Sequence, residues 1–194
     1  MKKLNKKGFT LIELIAVIVI LSIILVFVVP NLLDTYKRSK LKTEKAFVDQ
    51  LSKGIESYIT LYNADLNFVA DGKATKIVEK KDKDNKIVRD EYSVDIYKVQ
   101  NSLKEEGITI KDIIDKNIIE ASEYRNPGNR EDTCSQDAII NVYRDSDFVY
   151  CFKMEPMDCL TEDFIDFLTK EKPEEPKNKD GKIKYVLDTC IWKK

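Results

Sequence analysis

The sequence predicts an α+β fold, in which a long N-terminal α-helix packs by its second half against a small antiparallel β-sheet. Two observations predict this class. Apolar residues recur at helical spacing as far as Tyr62. The residues that follow contain β-rich runs in pairs, separated by polar turns. The expected organisation is therefore a helix over 9–62 and a globular head over 63–194, after a short leader at 1–8.

The first half of the predicted helix, residues 9–30, is apolar for about the length of a membrane span. Glu13 is the only ionisable residue inside this apolar run. An acidic side chain near a bilayer centre costs about 2.5–3.5 kcal/mol on insertion scales. In a span that served only as an anchor, Leu at this position would make membrane insertion more favourable. Glu13 therefore indicates a function, and its carboxylate requires a partner.

This segment resembles the N-terminus of type IV prepilins and of the related pseudopilins of secretion and DNA-uptake machines. The residues that carry the resemblance are Lys6, Lys7, Gly8, Phe9, Thr10, Leu11, Ile12, Glu13 and Leu14, followed by the apolar run and Pro30. The resemblance implies a type IV pilin-like fold. It also implies that a prepilin peptidase cuts between Gly8 and Phe9 and then methylates the new N-terminus at Phe9. Glu13 would act in assembly, where the matching carboxylate meets the free N-terminal amine.

Two other kinds of leader compete with this interpretation. A secretory signal peptide has an apolar stretch of about 7–15 residues followed by a small-x-small cleavage site, and neither feature is present. An uncut signal anchor, in which Gly8 is incidental, is the remaining alternative. Lysines flank the span on both sides, so charge alone does not orient it. A short cytoplasmic leader and four cysteines in the C-terminal part favour a head outside the cell.

Composition excludes several function classes. The net charge is −1, and lysines alternate with carboxylates, so no binding surface for nucleic acid is evident. The chain has no histidine, which excludes histidine-based catalytic triads and histidine-ligated zinc. No phosphate loop or nucleotide-binding motif is present. We therefore expect no enzymatic activity, no cofactor and no metal site.

The second half of the predicted helix has one apolar face, which is expected to pack on the head. Its residues are Phe47, Val48, Leu51, Ile55, Tyr58, Ile59 and Tyr62. Residues 34–45 are mostly polar and are expected to be exposed in a monomer. Pro30 lacks an N–H and its ring crowds the carbonyl of Val26, so a helix kink is expected there. The alternative is that the membrane helix simply ends at Pro30.

The sequence of the head predicts a mixture of hairpins and short helices. Residues 75–92 and 138–154 predict hairpins, the second around Asp145 and Ser146. Thr109 is expected to cap a helix that runs through Ile119, with Asp112 in its first turn. The remaining expectations are a short helix over 93–106 ended by Gly107, a helix over 161–170, a loop over 172–181 and a last strand over 184–192. The order from Thr109 to Pro127, then a cysteine, then a hairpin, also resembles heads of pilin-like proteins from Gram-positive anaerobes.

The four cysteines predict two structural disulfides in an exported head. The hairpin around Asp145 and Ser146 would bring Cys134 nearer Cys159 than Cys151. We therefore favour a Cys134–Cys159 bond, which leaves Cys151 to meet Cys190 in the last strand. Cys134–Cys151 with Cys159–Cys190 is an alternative that needs a register slip or bulge. Four free thiols are a further alternative.

The expected function is structural: a pilin or minor pilin that waits in the cytoplasmic membrane, is cleaved, and then enters a helical type IV pilus on the cell surface. Its expected partners are prepilin peptidase, the pilus or pseudopilus assembly machinery, the membrane, and other pilin subunits through their N-terminal helices. One alternative is a pseudopilin of a type II secretion or DNA-uptake system. A second alternative is a membrane-anchored surface protein that binds a ligand and never polymerises.

Overall fold

The first element of the structure is a helix of 52 residues, α1 (Leu11–Tyr62). The structure is a computed structural model that describes residues 11–100, 107–121, 124–125, 127 and 133–193. Pro30 lies inside α1, so the helix does not end there. On its C-terminal side, Asn31 donates its side-chain amide to the carbonyl of Phe27 at 3.1 Å. The predicted kink at Pro30 stays a prediction.

The chain divides into two units, 1–42 and 43–194. The described part of the first unit is the beginning of α1. Its large apolar side chains are exposed from Leu11 to Leu33, with Leu11 at 77% and Phe27 at 71%. A helix that is apolar on all sides is stable only when protein or lipid covers it. This surface therefore requires a covering that the first unit does not itself supply.

The second unit begins with the remainder of α1, which buries one face. The buried positions follow helical spacing and are Glu44, Phe47, Val48, Leu51, Gly54, Ile55, Tyr58 and Ile59. Gly54 is required by close packing, because a Cβ at this position would overlap the side chain of Ile119. The apolar face predicted from the sequence is confirmed from Phe47 to Ile59, and Tyr62, the last predicted residue of the face, is half-buried. Glu44 falls in the stretch expected to be exposed, and that part of the expectation is wrong.

A short 3-10 turn, Asn63–Asp65, links α1 to an antiparallel sheet of seven strands. The strands are β1 (Phe68–Lys81), β2 (Ile87–Val99), β3 (Ile108–Thr109), β4 (Ile139–Asp145), β5 (Tyr150–Met154), β6 (Leu187–Asp188) and β7 (Trp192–Lys193). Their order across the sheet is β6-β5-β4-β2-β1-β7, and β3 pairs with β4. The α+β fold predicted from the sequence is confirmed, and its architecture is pilin-like.

The hairpin expected at 75–92 exists, but its strands are longer than expected. They pair from Phe68 with Val99 to Lys81 with Ile87. The short helix expected over 93–106 is wrong as far as Val99, because residues 93–99 belong to β2. Val94 and Ile96 alternate with exposed residues and are buried, and β2 pairs with both β1 and β4. Pairing on both edges outweighs the weak helical preference. Residues 101–106 lie outside the described part of the chain.

The helix expected after Thr109 forms as α2 (Ile110–Asp115) but is shorter than expected. Its capping box is complete: the Thr109 hydroxyl accepts the N–H of Asp112, and the Asp112 carboxylate accepts the N–H of Thr109 at 2.7 Å. The helix ends because Asn117 adopts a left-handed conformation, with φ 54°. Ile119 lies beyond this end and is nevertheless buried, at 4% exposure.

The second predicted hairpin is β4–β5, with a wider turn than expected. Arg144 pairs with Tyr150, and β4 ends at Asp145, so the turn between the strands occupies four residues, from Ser146 to Val149. The expected helix after it is α3 (Glu162–Glu171), which begins after Thr161. The following segment is a loop, as predicted.

The single last strand expected over 184–192 is wrong. The segment forms two short strands, β6 on the edge of β5 and β7 on the edge of β1. Only Thr189, Cys190 and Ile191 separate them, a path of about 14 Å at most. A flat sheet would place the two strands about 24 Å apart, so the sheet must curl strongly to bring its edges together. The Cys190 N–H donates to the Asp188 carboxylate at 3.0 Å, which turns the chain between the strands.

Candidate functional site

The N-terminal half of α1 is the candidate site, and its chemistry depends on how few polar groups it carries. Between Leu11 and Pro30 the polar side chains are those of Glu13 and Ser22. The Ser22 hydroxyl donates to the carbonyl of Ile18 at 2.8 Å, within the helix. A hydroxyl satisfied in this way is compatible with an apolar environment. Glu13 lies in the first turn of the described helix, where the helix dipole favours a negative charge.

This helix is long and apolar enough to cross a membrane, judged by its length and composition alone. The exposed apolar surface is therefore of the right size for a bilayer, and it is equally suited to a bundle of similar helices. Gly8 and Phe9, the expected cleavage and methylation positions, lie outside the described residues. Their roles and that of Glu13 stay predictions.

The head carries two disulfides. Cys134 joins Cys159 with an S–S distance of 2.00 Å, and Cys151 joins Cys190 at 1.94 Å. The Cα atoms lie 5.1 Å apart in each bond, within the usual range. These are the pairs favoured from the hairpin. Extending the register of Ile140 with Met154 places Cys134 opposite Leu160, directly beside Cys159.

A buried ion pair in the head was not predicted from the sequence. The Lys76 ammonium lies 2.7 Å from the Asp145 carboxylate, and their side chains are 8% and 0% exposed. The second carboxylate oxygen of Asp145 accepts the N–H groups of Asp147 and Val149, each at 2.9 Å. Asp145 therefore closes the β4–β5 turn and also compensates a lysine from β1.

The two pKa values reflect this compensation. Burial alone would raise the pKa of the Asp145 carboxyl, but the hydrogen bonds from Lys76 and the two turn amides, with the lysine charge, together hold it below its ordinary value. The hydrogen bond to Asp145 raises the pKa of the Lys76 ammonium, against the opposing effect of burial. Both groups are therefore charged across the neutral range.

The head also contains a cleft of about 630 Å³ inside the curl of the sheet. Trp192, Tyr143 and the Cys190 side of the second disulfide contribute to its apolar lining. Carboxylates from the loop after α3, Glu174 and Glu175, lie at the cleft. The described residues contain no group of three or more Cys, Asp or Glu side chains placed to hold a metal ion.

Comparison with known proteins finds a match to one family model, over a short N-terminal segment of the chain. The model of the prokaryotic N-terminal methylation motif matches residues 3–29, which include the leader and most of the apolar segment. No curated protein and no solved structure matches the chain. The match covers the segment for which the sequence indicated a prepilin, and it does not extend into the head. The chain thus carries the N-terminal methylation motif characteristic of type IV prepilins and pseudopilins, on a pilin-like α+β fold.

Proposed function

We propose that this protein is a structural subunit of a type IV pilus, a pilin or minor pilin that is processed at the membrane and then polymerises. The observation that carries the proposal is the continuity between the methylation motif at 3–29 and a helix whose apolar side chains are exposed from Leu11 to Leu33. A filament of such subunits covers this surface with the same surface of neighbouring copies. The bilayer covers it before assembly.

Processing prepares the subunit for this change of environment. Prepilin peptidase cuts between Gly8 and Phe9, and the new N-terminus of Phe9 is methylated. The cut removes the basic leader, including Lys6 and Lys7, from the end of the apolar segment. The cleavage also creates a cationic amine at the start of the helix.

Glu13 makes assembly depend on that cleavage. Inside a bundle of apolar helices an uncompensated carboxylate is costly, and a cationic partner in good geometry offsets the cost. The amine of Phe9 in a neighbouring subunit is such a partner. The contact joins one part of a subunit to a different part of the next, so it generates an open helical polymer.

The head remains outside the membrane throughout. Its disulfides suit an oxidising compartment. The cytoplasmic membrane is therefore the location of the precursor, and the cell-surface filament is the location of the assembled subunit.

The test is to determine the mature N-terminus and to look for the protein in filaments sheared from cells. We expect mass spectrometry to find a methylated Phe9 in the filament fraction. An intact Met1 in all of the protein would contradict processing and favour an uncut anchor. A processed N-terminus with no protein in sheared filaments would instead favour a pseudopilin.

A further inference from the structure

The longest hairpin of the head extends beyond the rest of the sheet. β1 and β2 pair with each other as far as Lys81 and Ile87, but β7 reaches only Thr75 and Lys76, and β4 reaches only 96–98. Among the described strands, residues 77–91 pair only with one another, and they therefore form a two-stranded arm. Every described side chain from residue 79 to 93 is exposed. A hairpin without a third strand or a covering layer is marginally stable in water.

Local contacts nevertheless define the shape of the arm. Cross-strand ion pairs join Glu79 to Arg89 at 2.9 Å and Lys80 to Asp90 at 3.2 Å. At the tip, the Asp82 carboxylate accepts the N–H groups of Asp84 and Lys86, at 2.9 and 3.0 Å. These contacts are local, so they hold the shape of the arm without attaching it to the head.

The surface of the arm combines apolar side chains with a basic tip. Ile87 is 58% exposed, and Val88 and Tyr92 are each 41% exposed. The tip, residues 80–86, carries four lysines and two aspartates. Lys80 pairs with Asp90, and the other three lysines outnumber the two aspartates by one, so the tip has a small net positive charge. An exposed strand edge with apolar side chains is a template for association with another chain.

The cleft of the same head has the opposite charge. Lys153 and Asp188 lie 2.7 Å apart and compensate each other. The other charged residues that line the cleft include Glu174, Glu175 and Lys184, so carboxylates outnumber ammonium groups. Trp192 and Tyr143 supply apolar and aromatic surface, and the volume of about 630 Å³ is large enough for several side chains.

The tip of the arm cannot reach the cleft of its own head. β1 is one continuous strand, and Trp192, which lines the cleft, pairs with Lys76. From Lys76 to the tip at Asp82 the strand extends about 20 Å away from that pairing. The tip and the cleft are therefore separate, complementary surfaces that only two copies of the chain can bring together.

We infer that the basic tip of the β1–β2 arm docks in the acidic cleft of the next subunit, as a head-to-head contact along the filament. The inference rests on the proposed polymerisation and names a second interface for it, distinct from the helix bundle. The two surfaces differ, so the contact is heterologous and leaves one free arm and one free cleft at the ends of an open filament. The contact covers the arm that would otherwise have no support.

The test exchanges the charges of the two surfaces in the full-length protein. Lys81→Glu with Lys83→Glu makes the tip acidic, and Glu174→Lys with Glu175→Lys makes the cleft basic. A photo-reactive amino acid at Ile87, which is exposed and uncharged, reports docking in every variant. In the wild-type background we expect a cross-link from position 87 of one copy to the 171–177 segment of another.

In each double variant alone, the yield of this cross-link should fall about tenfold, because like charges then face each other. The two variants expressed together should restore it, since the acidic tip of one meets the basic cleft of the other. A chain that carries all four changes should restore it alone. Lys111→Glu with Lys179→Glu, two exposed lysines outside both surfaces, is the matched control and should leave the cross-link unchanged.

Three results would overturn the inference: an unchanged cross-link in either double variant, no recovery on mixing, or capture of a different protein or a cell-wall polymer by position 87. The cross-link is measured separately in membranes and in sheared filaments. A processed wild-type protein that forms no filament contradicts the proposed function, whereas the membrane cross-link still decides whether the arm docks. Absence of the cross-link from both fractions overturns the docking contact, even where filaments form normally.

Discussion

The carboxylate of Glu44 is bound to Thr161, 117 residues further along the chain. One oxygen accepts the Thr161 N–H at 3.1 Å, and the other accepts the Thr161 hydroxyl at 2.8 Å. Thr161 is the residue before α3, and its own side chain does not cap that helix. A carboxylate from α1 therefore supplies the negative charge that a helix N-terminus favours. This contact fixes α3 to the half of α1 that belongs to the head.

Replacing Glu44 by Ala should destabilise the head. The change leaves the Thr161 N–H and hydroxyl without their acceptor in a partly buried site, at a cost of about 1–3 kcal/mol. The measurement is urea unfolding of the full-length protein in detergent, followed by the fluorescence of Trp192, the only tryptophan and a buried one.

Lys45→Ala is the matched control for Glu44→Ala. Lys45 is the next residue of α1 and pairs with Glu171 at the other end of α3, where both side chains are largely exposed. An exposed ion pair contributes about 0–1 kcal/mol. If the two variants lost the same free energy of unfolding, the contact between Glu44 and Thr161 would not be the origin of the effect.

The Lys76–Asp145 pair should make stability depend on pH in a defined way. Because the pKa of Asp145 is lowered in the folded protein, its contribution to the free energy of unfolding is present at neutral pH and is lost as the pH falls through the acid range. Because the pKa of Lys76 is raised in the folded protein, its contribution to the free energy of unfolding is present below about pH 10.5 and is lost as the pH rises above that value. Stability should therefore decline at both extremes.

Lys76→Met separates this effect from general acid unfolding. At pH 7 it should cost about 3–5 kcal/mol, because Asp145 is left buried and uncompensated. At pH 4 the cost should be smaller, because protonation of Asp145 removes the uncompensated charge. Unfolding curves at the two pH values, compared with wild type, test this. A loss of the same size at both would argue against the pair as its origin.

The sequence predicted elements whose signals are local. The helical spacing of Phe47, Leu51 and Ile55 and the capping box at Thr109 are both readable within a few residues. By contrast, Lys76 and Asp145 are 69 residues apart, and nothing in either neighbourhood indicates a partner. Residues 93–99 were assigned wrongly for the same reason. Their strand is stabilised by β1 on one edge and by β4, more than 40 residues later, on the other.

The candidate site was more predictable than the head, since its information is concentrated in one segment. Gly8, Phe9 and Glu13 are recognised by their spacing relative to the apolar run, and the methylation motif at 3–29 contains all three. The arm and the cleft were not predictable as surfaces. The residues that line the cleft lie far apart in sequence, and only the sheet topology and the loop after α3 bring them together.

Removing the Cys151–Cys190 bond should release the C-terminal strands from the sheet. Cys151→Ala with Cys190→Ala should cost about 2–4 kcal/mol and expose Trp192, which packs beside this disulfide. The fluorescence of Trp192 and the unfolding midpoint measure the two effects. Peptide mapping without reduction checks the pairing itself, and recovery of a Cys134–Cys151 peptide would show that the pairing is wrong.

Gly8→Val should block processing. A larger side chain does not fit a cleavage site built for the smallest residue, so the full-length precursor should accumulate in the membrane. Mass spectrometry of the N-terminus measures the fraction of uncut precursor.

Gly54→Ala is not a suitable control, because a Cβ there overlaps Ile119. Gly181→Ala, at a site with nothing within 4 Å of the added Cβ but a positive φ of 75°, should be processed normally. Cleavage of Gly8→Val at the wild-type rate would refute our interpretation of the leader.

Glu13→Val should insert and fold but assemble poorly. The span becomes more apolar, which favours insertion. The Phe9 amine of each subunit, however, loses its acidic partner in the filament and becomes a buried uncompensated charge. The measurement is the yield of sheared filaments, together with the mature N-terminus of the membrane fraction.

Glu13→Gln, which keeps the size of the side chain and removes its charge, should be equally defective. Ser22→Ala is the matched control, because Ser22 is the other polar side chain of the described span and its hydroxyl is satisfied by the carbonyl of Ile18. Normal filaments from Ser22→Ala and none from Glu13→Gln would assign the defect to the charge. Wild-type filament yield from Glu13→Val would show that the amine needs no acidic partner.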